Sequence, residues 1–326
     1  MTHAIELRDV RKTFGANVAV DRLSLVVPRG AVCGVIGPSG AGKTTCIRMI
    51  MSILFPDSGS LSVLGRASAL EAKDQIGYLP EERGVYRKMR VGAFLTYLAQ
   101  LKGVSRTVAA ARVPALLEQV GLRGTERTPL DELSKGMLQR VQFVGATLHE
   151  PDLLILDEPF SGLDPVSVRL LREQVRHAQA RGATILLSTH IMAYAEEMCD
   201  HVFMIHQGAK VLDQPMAGLR RQFDPRTLVL EPLDPKADVA VLRTLPDVEQ
   251  IEARSSEYAI RLVSGADPSL ALARIAGLVP PARIEIARLR LEDVFVRIVA
   301  GGGGLDEAAA ALRSRLQAGA VEEARA

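Results

Sequence analysis

Eight consecutive residues, Gly37-Pro38-Ser39-Gly40-Ala41-Gly42-Lys43-Thr44, have the types and spacing of a loop that wraps phosphate. Its glycines let backbone N–H groups turn inward onto phosphate oxygens. The helix that begins at Lys43 and runs through Thr45 points its positive end at the same spot. In this pattern the lysine reaches the β- and γ-phosphates of a nucleotide, and the Thr44 hydroxyl ligates Mg²⁺. A chance glycine-rich turn would lack the flanking elements that such a mechanism needs. Here the β-rich run Ala31–Ile36 precedes the loop and the helix-like stretch Lys43–Ile53 follows it.

Three further stretches carry candidate chemistry. Leu153-Leu154-Ile155-Leu156 is an apolar run ending in Asp157-Glu158. Alone it is equally a strand followed by a solvated acidic turn. Downstream of a phosphate loop it becomes a pair in which Asp157 serves the Mg²⁺ shell and Glu158 polarises the attacking water. In Leu133-Ser134-Lys135-Gly136-Met137, Ser134 is placed to cap the next helix and leave free N–H groups at its start. Such a second phosphate-binding end is useful only if another molecule brings a phosphate to it. A lone histidine, His190, follows the strand-like Thr184–Leu187.

Taken in order, these motifs resemble the ATP-binding cassette (ABC) family over roughly Ile5 to Phe223. The resemblance implies an ATPase that uses ATP and Mg²⁺, with Gly37 through Thr45 holding the nucleotide. It implies a head-to-tail homodimer in which Ser134 and Gly136 of one subunit contact the γ-phosphate held by Lys43 of the other. Ser161-Gly162-Leu163-Asp164 matches the family's D-loop, which crosses the dimer interface, and His190 matches its switch histidine, which contacts the γ-phosphate. Phe14 stands where an aromatic residue stacks on adenine; the competing reading is a core phenylalanine. Two positions depart from the family pattern. Lys135 and Met137 replace glycine and glutamine in the signature, and Glu81 replaces a glutamine whose oxygen contacts Mg²⁺. A carboxylate can also ligate Mg²⁺, at the cost of a negative charge beside the γ-phosphate. The run Gly77-Tyr78-Leu79-Pro80-Glu81-Glu82-Arg83-Gly84 and the ending Leu291-Glu292-Asp293-Val294-Phe295 look like sodium-efflux-type bacterial exporter ATPases. That resemblance implies separate membrane-spanning permease chains and a peripheral place on the cytoplasmic face of the bacterial inner membrane.

The elements that must position these residues alternate strand with helix, so the expected fold is α/β: a P-loop NTPase of ABC type with a mainly parallel sheet. Ala4–Leu7, Leu23–Val27 and Ala31–Ile36 are short β-rich runs, and Val166–Ala180 is helical. A helical insert is expected over about 89–149, where Phe94, Leu95, Leu98 and Leu101 recur at helical spacing. The pattern changes near Phe223. Beyond it Thr227–Glu231, Val248–Ala253, Tyr258–Val263 and Arg283–Ala287 read as strands, with Ala237–Leu245, Pro268–Ala276 and Leu291–Val299 as helices. That is the ferredoxin-like β-α-β-β-α-β order of a small α+β domain. Ile251 with Ala253 and Ile260 with Leu262 are expected to line one sheet face, covered by Leu270, Leu272, Ile275, Val294, Phe295 and Ile298. The expected layout is therefore a cassette over 1–223, an accessory domain over 224–300 that regulates or buttresses the dimer, and a Gly-rich linker with an Ala-rich tail over 301–326.

Bulk properties narrow the partners. The chain has 326 residues, three cysteines and a formal net charge of +2. Near-neutral charge argues against bulk nucleic acid. Cys33, Cys46 and Cys199 are odd in number and widely spaced, which fits a reducing compartment better than a disulfide framework. No run approaches the roughly 20 apolar residues of a membrane span, and no signal peptide is expected, so if the protein works at a membrane another chain must hold it there. The rival class is a soluble cassette ATPase acting on ribosomes, DNA or Fe–S assembly. Ribosome-acting relatives carry two cassettes, DNA-repair relatives insert long coiled coils between the motifs, and no basic patch or cysteine cluster is present here.

Overall fold

A computed structural model describes residues 3–81, 84, 88–222, 226–254, 256–287 and 290–300. In chain order the elements begin with β1 (His3–Phe14), β2 (Asn17–Pro28), β3 (Val32–Ile36), α1 (Lys43–Ile50), β4 (Ser58–Val63) and β5 (Ile76–Leu79). Next come α2 (Val91–Leu101), α3 (Arg106–Gln119), α4 (Lys135–Thr147), β6 (Leu153–Asp157), α5 (Pro165–Ala180) and β7 (Thr184–Thr189). They continue with α6 (Met192–Met198), β8 (His201–His206), β9 (Ala209–Pro215), α7 (Met216–Gln222) and β10 (Thr227–Pro232). The last are β11 (Val248–Arg254), β12 (Glu257–Leu262), α8 (Pro268–Leu278), β13 (Pro281–Ile286) and α9 (Leu291–Ala300). The chain divides into two compact units, Met1–Met216 with Phe295 onward, and Ala217–Val294.

In the first unit a six-stranded sheet runs β5-β6-β7-β3-β8-β9, parallel throughout except at the β8–β9 hairpin. Every residue of β3, β6 and β7 is buried, as continuous apolar runs covered on both faces must be. A separate antiparallel sheet, β2-β1-β4, lies over α1. The two sheets and α1 enclose one core in which Ile5, Leu7, Leu25, Ile47, Ile155 and Phe203 are almost fully buried. The strand reading above separated only the apolar centres of β1 and β2. Both strands extend over 12 residues because their register shifts repeatedly and polar residues occupy the outer face. The expected first helix also stops early, at Ile50 instead of Ile53.

The insert is helical as expected, through α2, α3 and α4, with a single 3₁₀ turn at Leu130–Glu132. It is fastened to β5 through one carbonyl: that of Ile76 accepts from Lys102 Nζ at 2.9 Å and lies 3.2 Å from His149 Nε2. Cys33, Cys46 and Cys199 are all buried and unpaired.

The second unit holds a four-stranded antiparallel sheet in the order β11-β12-β10-β13. Its core joins Leu228, Leu230, Ile260 and Leu262 to Ala271 and Ile275 of α8. Four details differ from the sequence reading. Phe295, expected to cover this sheet, groups with the first unit. The first helical segment is a 3₁₀ stretch, Val239–Thr244, capped by Asp238. Leu270 is 57% exposed, because Ala271 and Ile275 form the buried stripe of α8. Ala253, near the end of β11 opposite Tyr258, is exposed, while Ile251 opposite Ile260 packs on the core. Phe223 and the 301–326 linker and tail lie outside the described residues. Among the described residues no helix is long and apolar enough to cross a membrane.

Candidate active site

The carboxyl ends of β3, β6 and β7 open on one side of the sheet, the usual ligand edge of such folds. Each delivers one part of the candidate site: the glycine-rich loop after β3, Asp157-Glu158 at the end of β6, and His190 after β7. Two of the loop's glycines leave no room for a side chain. Gly37 has φ +152°, and a Cβ there would lie 2.2 Å from the Ile205 carbonyl oxygen; Gly42 has φ +105°, with the Ala19 carbonyl oxygen at 2.4 Å. No side chain caps α1 at Gly42, so its first N–H groups remain open to an anion.

Lys43 is folded back into the loop. Its ammonium donates to the carbonyls of Gly37 at 3.0 Å and Pro38 at 3.1 Å, and lies 3.6 Å from Glu158 Oε1. The same carboxylate oxygen is 3.0 Å from His190 Nδ1. Glu158 is buried and held at φ +49°, a region a glutamate enters only when its surroundings over-determine it. Its N–H donates to Ser188, to both the carbonyl and Oγ at 3.2 Å. Ser188 Oγ also donates to Asp157 Oδ1. One cleft of about 500 Å³ collects Phe14, Ser39, Gly40, Gly42, Lys43, Thr44, Thr45, Glu81, Glu158 and His190.

The region Val20–Ser161 matches the family model described as ABC transporter. The ABC transporter ATP-binding protein YhaQ of Bacillus subtilis (strain 168) is 37% identical over 290 residues, covering 89% of this chain and 96% of its own. This chain belongs to the ATP-binding subunits of ABC transporters. The Nod factor export ATP-binding protein I of Rhizobium sp. (strain N33) is 32% identical over 299 residues, covering 90% of this chain and 96% of its own. A solved ATP-binding subunit of an ABC transporter superposes with a TM-score of 0.63 at 35% identity, over 68% of this chain and 93% of that one. Members of the family hydrolyse ATP, and the α/β fold described above is theirs.

Next to the cleft residues Thr44 and Glu81, Asp157 completes a set that fits a small hard cation. Asp157 is almost fully buried, and its Oδ2 has no hydrogen-bond partner. Thr44 Oγ1 lies 3.4 Å from both Asp157 Oδ1 and Glu81 Oε2. Burial, with Glu81 and Glu158 as like-charged neighbours, pushes the Asp157 carboxyl above the usual carboxylate range, partly offset by the bonds from Ser188 and Thr44. A buried carboxylate oxygen without a donor, beside a hydroxyl and a second carboxylate, is a donor set for Mg²⁺. Among the described residues no group of three His, Cys, Asp or Glu could hold a metal by itself.

Several sequence-derived candidates lie elsewhere in the cassette. Among the residues lining the cleft, Gly37, Pro38, Ala41, Ser134, Gly136, Asp157 and Asp164 are absent. Pro38 and Ala41 shape the loop from within: Ala41 N–H donates to the Pro38 carbonyl at 3.2 Å. Ser134 is exposed and caps α4, accepting from Met137 N–H at 3.2 Å. Asp164 caps α5, accepting from Val166 and Ser167 N–H at 3.0 Å; the Ser167 hydroxyl, donating at 2.5 Å, and these N–H groups hold its carboxyl below the usual range. Phe14 is 49% exposed at the end of β1, which a core phenylalanine would not be. Sequence reasoning missed Asn17, Val18, Ala19, Gln207 and Gly208, which line the cleft beside Phe14. The Gln207–Gly208 turn is fixed there by Gly208 N–H donating to the Ala41 carbonyl at 3.0 Å. A Gln-Gly pair between two β-runs is its only trace in sequence.

Proposed function

We propose that the chain is the ATP-hydrolysing subunit of a bacterial exporter, working as a homodimer on the cytoplasmic face of the inner membrane and driving separate transmembrane permease chains. In this reading residues 1–223 form the cassette, and 224–300 form an accessory domain that regulates it and holds no second active site. Two copies close head to tail, each ATP lying between the phosphate loop of one and Ser134 with Gly136 of the other. Phe14 stacks on adenine, Lys43 and the backbone of Gly37–Thr45 hold the phosphates, and Thr44, Asp157 and Glu81 hold Mg²⁺. When bound, Mg²⁺ neutralises charge on the β- and γ-oxygens. Glu158 takes the proton of the attacking water, His190 contacts the γ-phosphate and orients that carboxylate, and Asp164 faces the partner across the interface. Closure is favoured while each γ-phosphate is liganded from both sides, and the dimer loosens when it leaves. The helical insert and the Glu81 loop pass that motion to the permease.

The observation that carries the reading is the division of parts. Lys43, Glu158 and His190 share one cleft, whereas Ser134 stands exposed outside it on a capped helix end. A phosphate-binding helix end without a phosphate of its own is completed by a second copy. The export role rests on the name of the Rhizobium relative. Mixing tests the dimer: Lys43→Ala and Ser134→Arg subunits each lack turnover alone, and together they regain it through one intact composite site. Unchanged ATP-driven association of the Ser134→Arg protein alone would sink the head-to-tail arrangement. Co-purification with a multi-spanning membrane chain, and not with ribosomes or DNA, tests the transport role.

A further inference from the structure

Gln139 lies one turn into α4 and is 5% exposed. Its carboxamide nitrogen donates to the carbonyl of Pro159 at 2.6 Å and, less closely, to that of Glu158 at 3.4 Å. Both carbonyls belong to the turn Glu158–Gly162, which opens on the left-handed backbone of Glu158. A glutamate does not choose that conformation; bonds from outside must hold it. Ser188 supplies them from β7 through the Glu158 N–H. Gln139 adds bonds from α4, to the Pro159 carbonyl and less closely to that of Glu158. The peptide bearing the Glu158 carboxylate is therefore clamped between β7 and α4, and α4 is the helix that Ser134 opens.

We infer that Gln139 is a positioning residue for hydrolysis: its carboxamide fixes the turn after Glu158 and so sets where that carboxylate stands against Lys43 and His190. The inference rests on the proposed role of Glu158 as general base. The chemistry needed at position 139 is specific. Two carbonyl oxygens face it, so the side chain must donate and must span from the α4 backbone to the turn. Leucine has the volume without the donor. A glutamate has the length but donates only while protonated.

Two variants test this in the full-length protein, with the folded fraction and ATP binding measured alongside turnover. Gln139→Leu should lower kcat by about 10–100-fold, the scale of a misplacement near 1 Å, with KM for ATP and ATP binding unchanged. Loss of packing alone would instead reduce the folded fraction and leave kcat per folded molecule intact. Gln139→Glu should show turnover that rises relative to wild type as pH falls, because protonation restores the donor, and that is lost as pH rises. A folded Gln139→Leu protein with kcat within about twofold of wild type overturns the inference, being far inside the expected loss. Should that variant not fold, a flat pH ratio for Gln139→Glu overturns it. Glu158→Gln separates the two claims. Normal turnover there defeats the general-base reading itself. An inactive Glu158→Gln with normal Gln139 variants defeats only the positioning role.

Discussion

Replacing Glu158 by glutamine removes one charge at nearly constant volume, and the structure allows its two consequences to be sized separately. Glu158 Oε1 is 3.6 Å from the buried ammonium of Lys43. Stripping one partner from a buried ion pair commonly costs about 3–5 kcal/mol. Here the loss is smaller, because Lys43 keeps its bonds to Gly37 and Pro38 and Asp157 sheds a like-charged neighbour. We expect about 1–2 kcal/mol of stability lost, a fall in Tm of about 2–8 °C for a unit of this size. The catalytic effect is larger. A positioned general base contributes about 10²–10⁴-fold, or about 3–5 kcal/mol of barrier. Single-turnover hydrolysis at saturating ATP and Mg²⁺ should therefore fall by that factor, while ATP binding persists and an ATP-bound dimer accumulates. Turnover within about tenfold of wild type would refute the assignment, since it lies outside the range for a lost base.

Asp157→Asn probes the buried carboxylate through pH. Because its folded proton affinity is raised, the metal-free wild type loses stability as pH rises from the ordinary value near 3.8 through the raised one. In metal-free buffer near neutral pH the variant should melt higher than wild type, with the gap closing on acidification; an equal gap at all pH values would refute the argument. Phe14→Ala should weaken ATP binding by about 5- to 150-fold, since base–aromatic stacking is worth about 1–3 kcal/mol. Stability should barely change at this half-exposed site, and an unchanged Kd for ATP would remove Phe14 from the nucleotide site. Glu81→Gln should shift the Mg²⁺ titration modestly and Glu81→Ala substantially. An unchanged titration in Glu81→Ala would show that Thr44 and Asp157 hold the metal without it.

The chemistry-bearing residues were legible because they sit where sequence patterns are strongest. Fully buried strands such as Leu153–Asp157 and Thr184–Thr189 are built on apolar runs, the first ending on Asp157 and the second stopping one residue before His190. The antiparallel sheet was harder to read. Half of β1 and β2 faces outward, and register shifts break the two-residue alternation, so only fragments stood out. Ser188 closes an apolar strand with a hydroxyl, a visible oddity. That it serves both Asp157 and the Glu158 backbone depends on the parallel pairing of β6 with β7. Gln139 and Gln207 carry no periodic signal for their roles, since each acts on a segment distant in sequence. In the second unit, Leu270 and Ala271 differ by one residue in helical phase, and hydrophobicity alone favoured the larger side chain over the one that faces inward.

The buried cysteines have a practical consequence. Burial pushes the thiols of Cys33 and Cys46 up to about 12, and that of Cys199 higher still. Alkylating and maleimide reagents attack the thiolate, so all three are protected while the chain is folded. They react only through openings that expose β3, α1 or the end of α6. A cysteine introduced at an exposed position will therefore be labelled selectively without first removing the native ones. Fluorophores and spin labels can thus be attached to the native sequence, with its β3–α1 packing undisturbed.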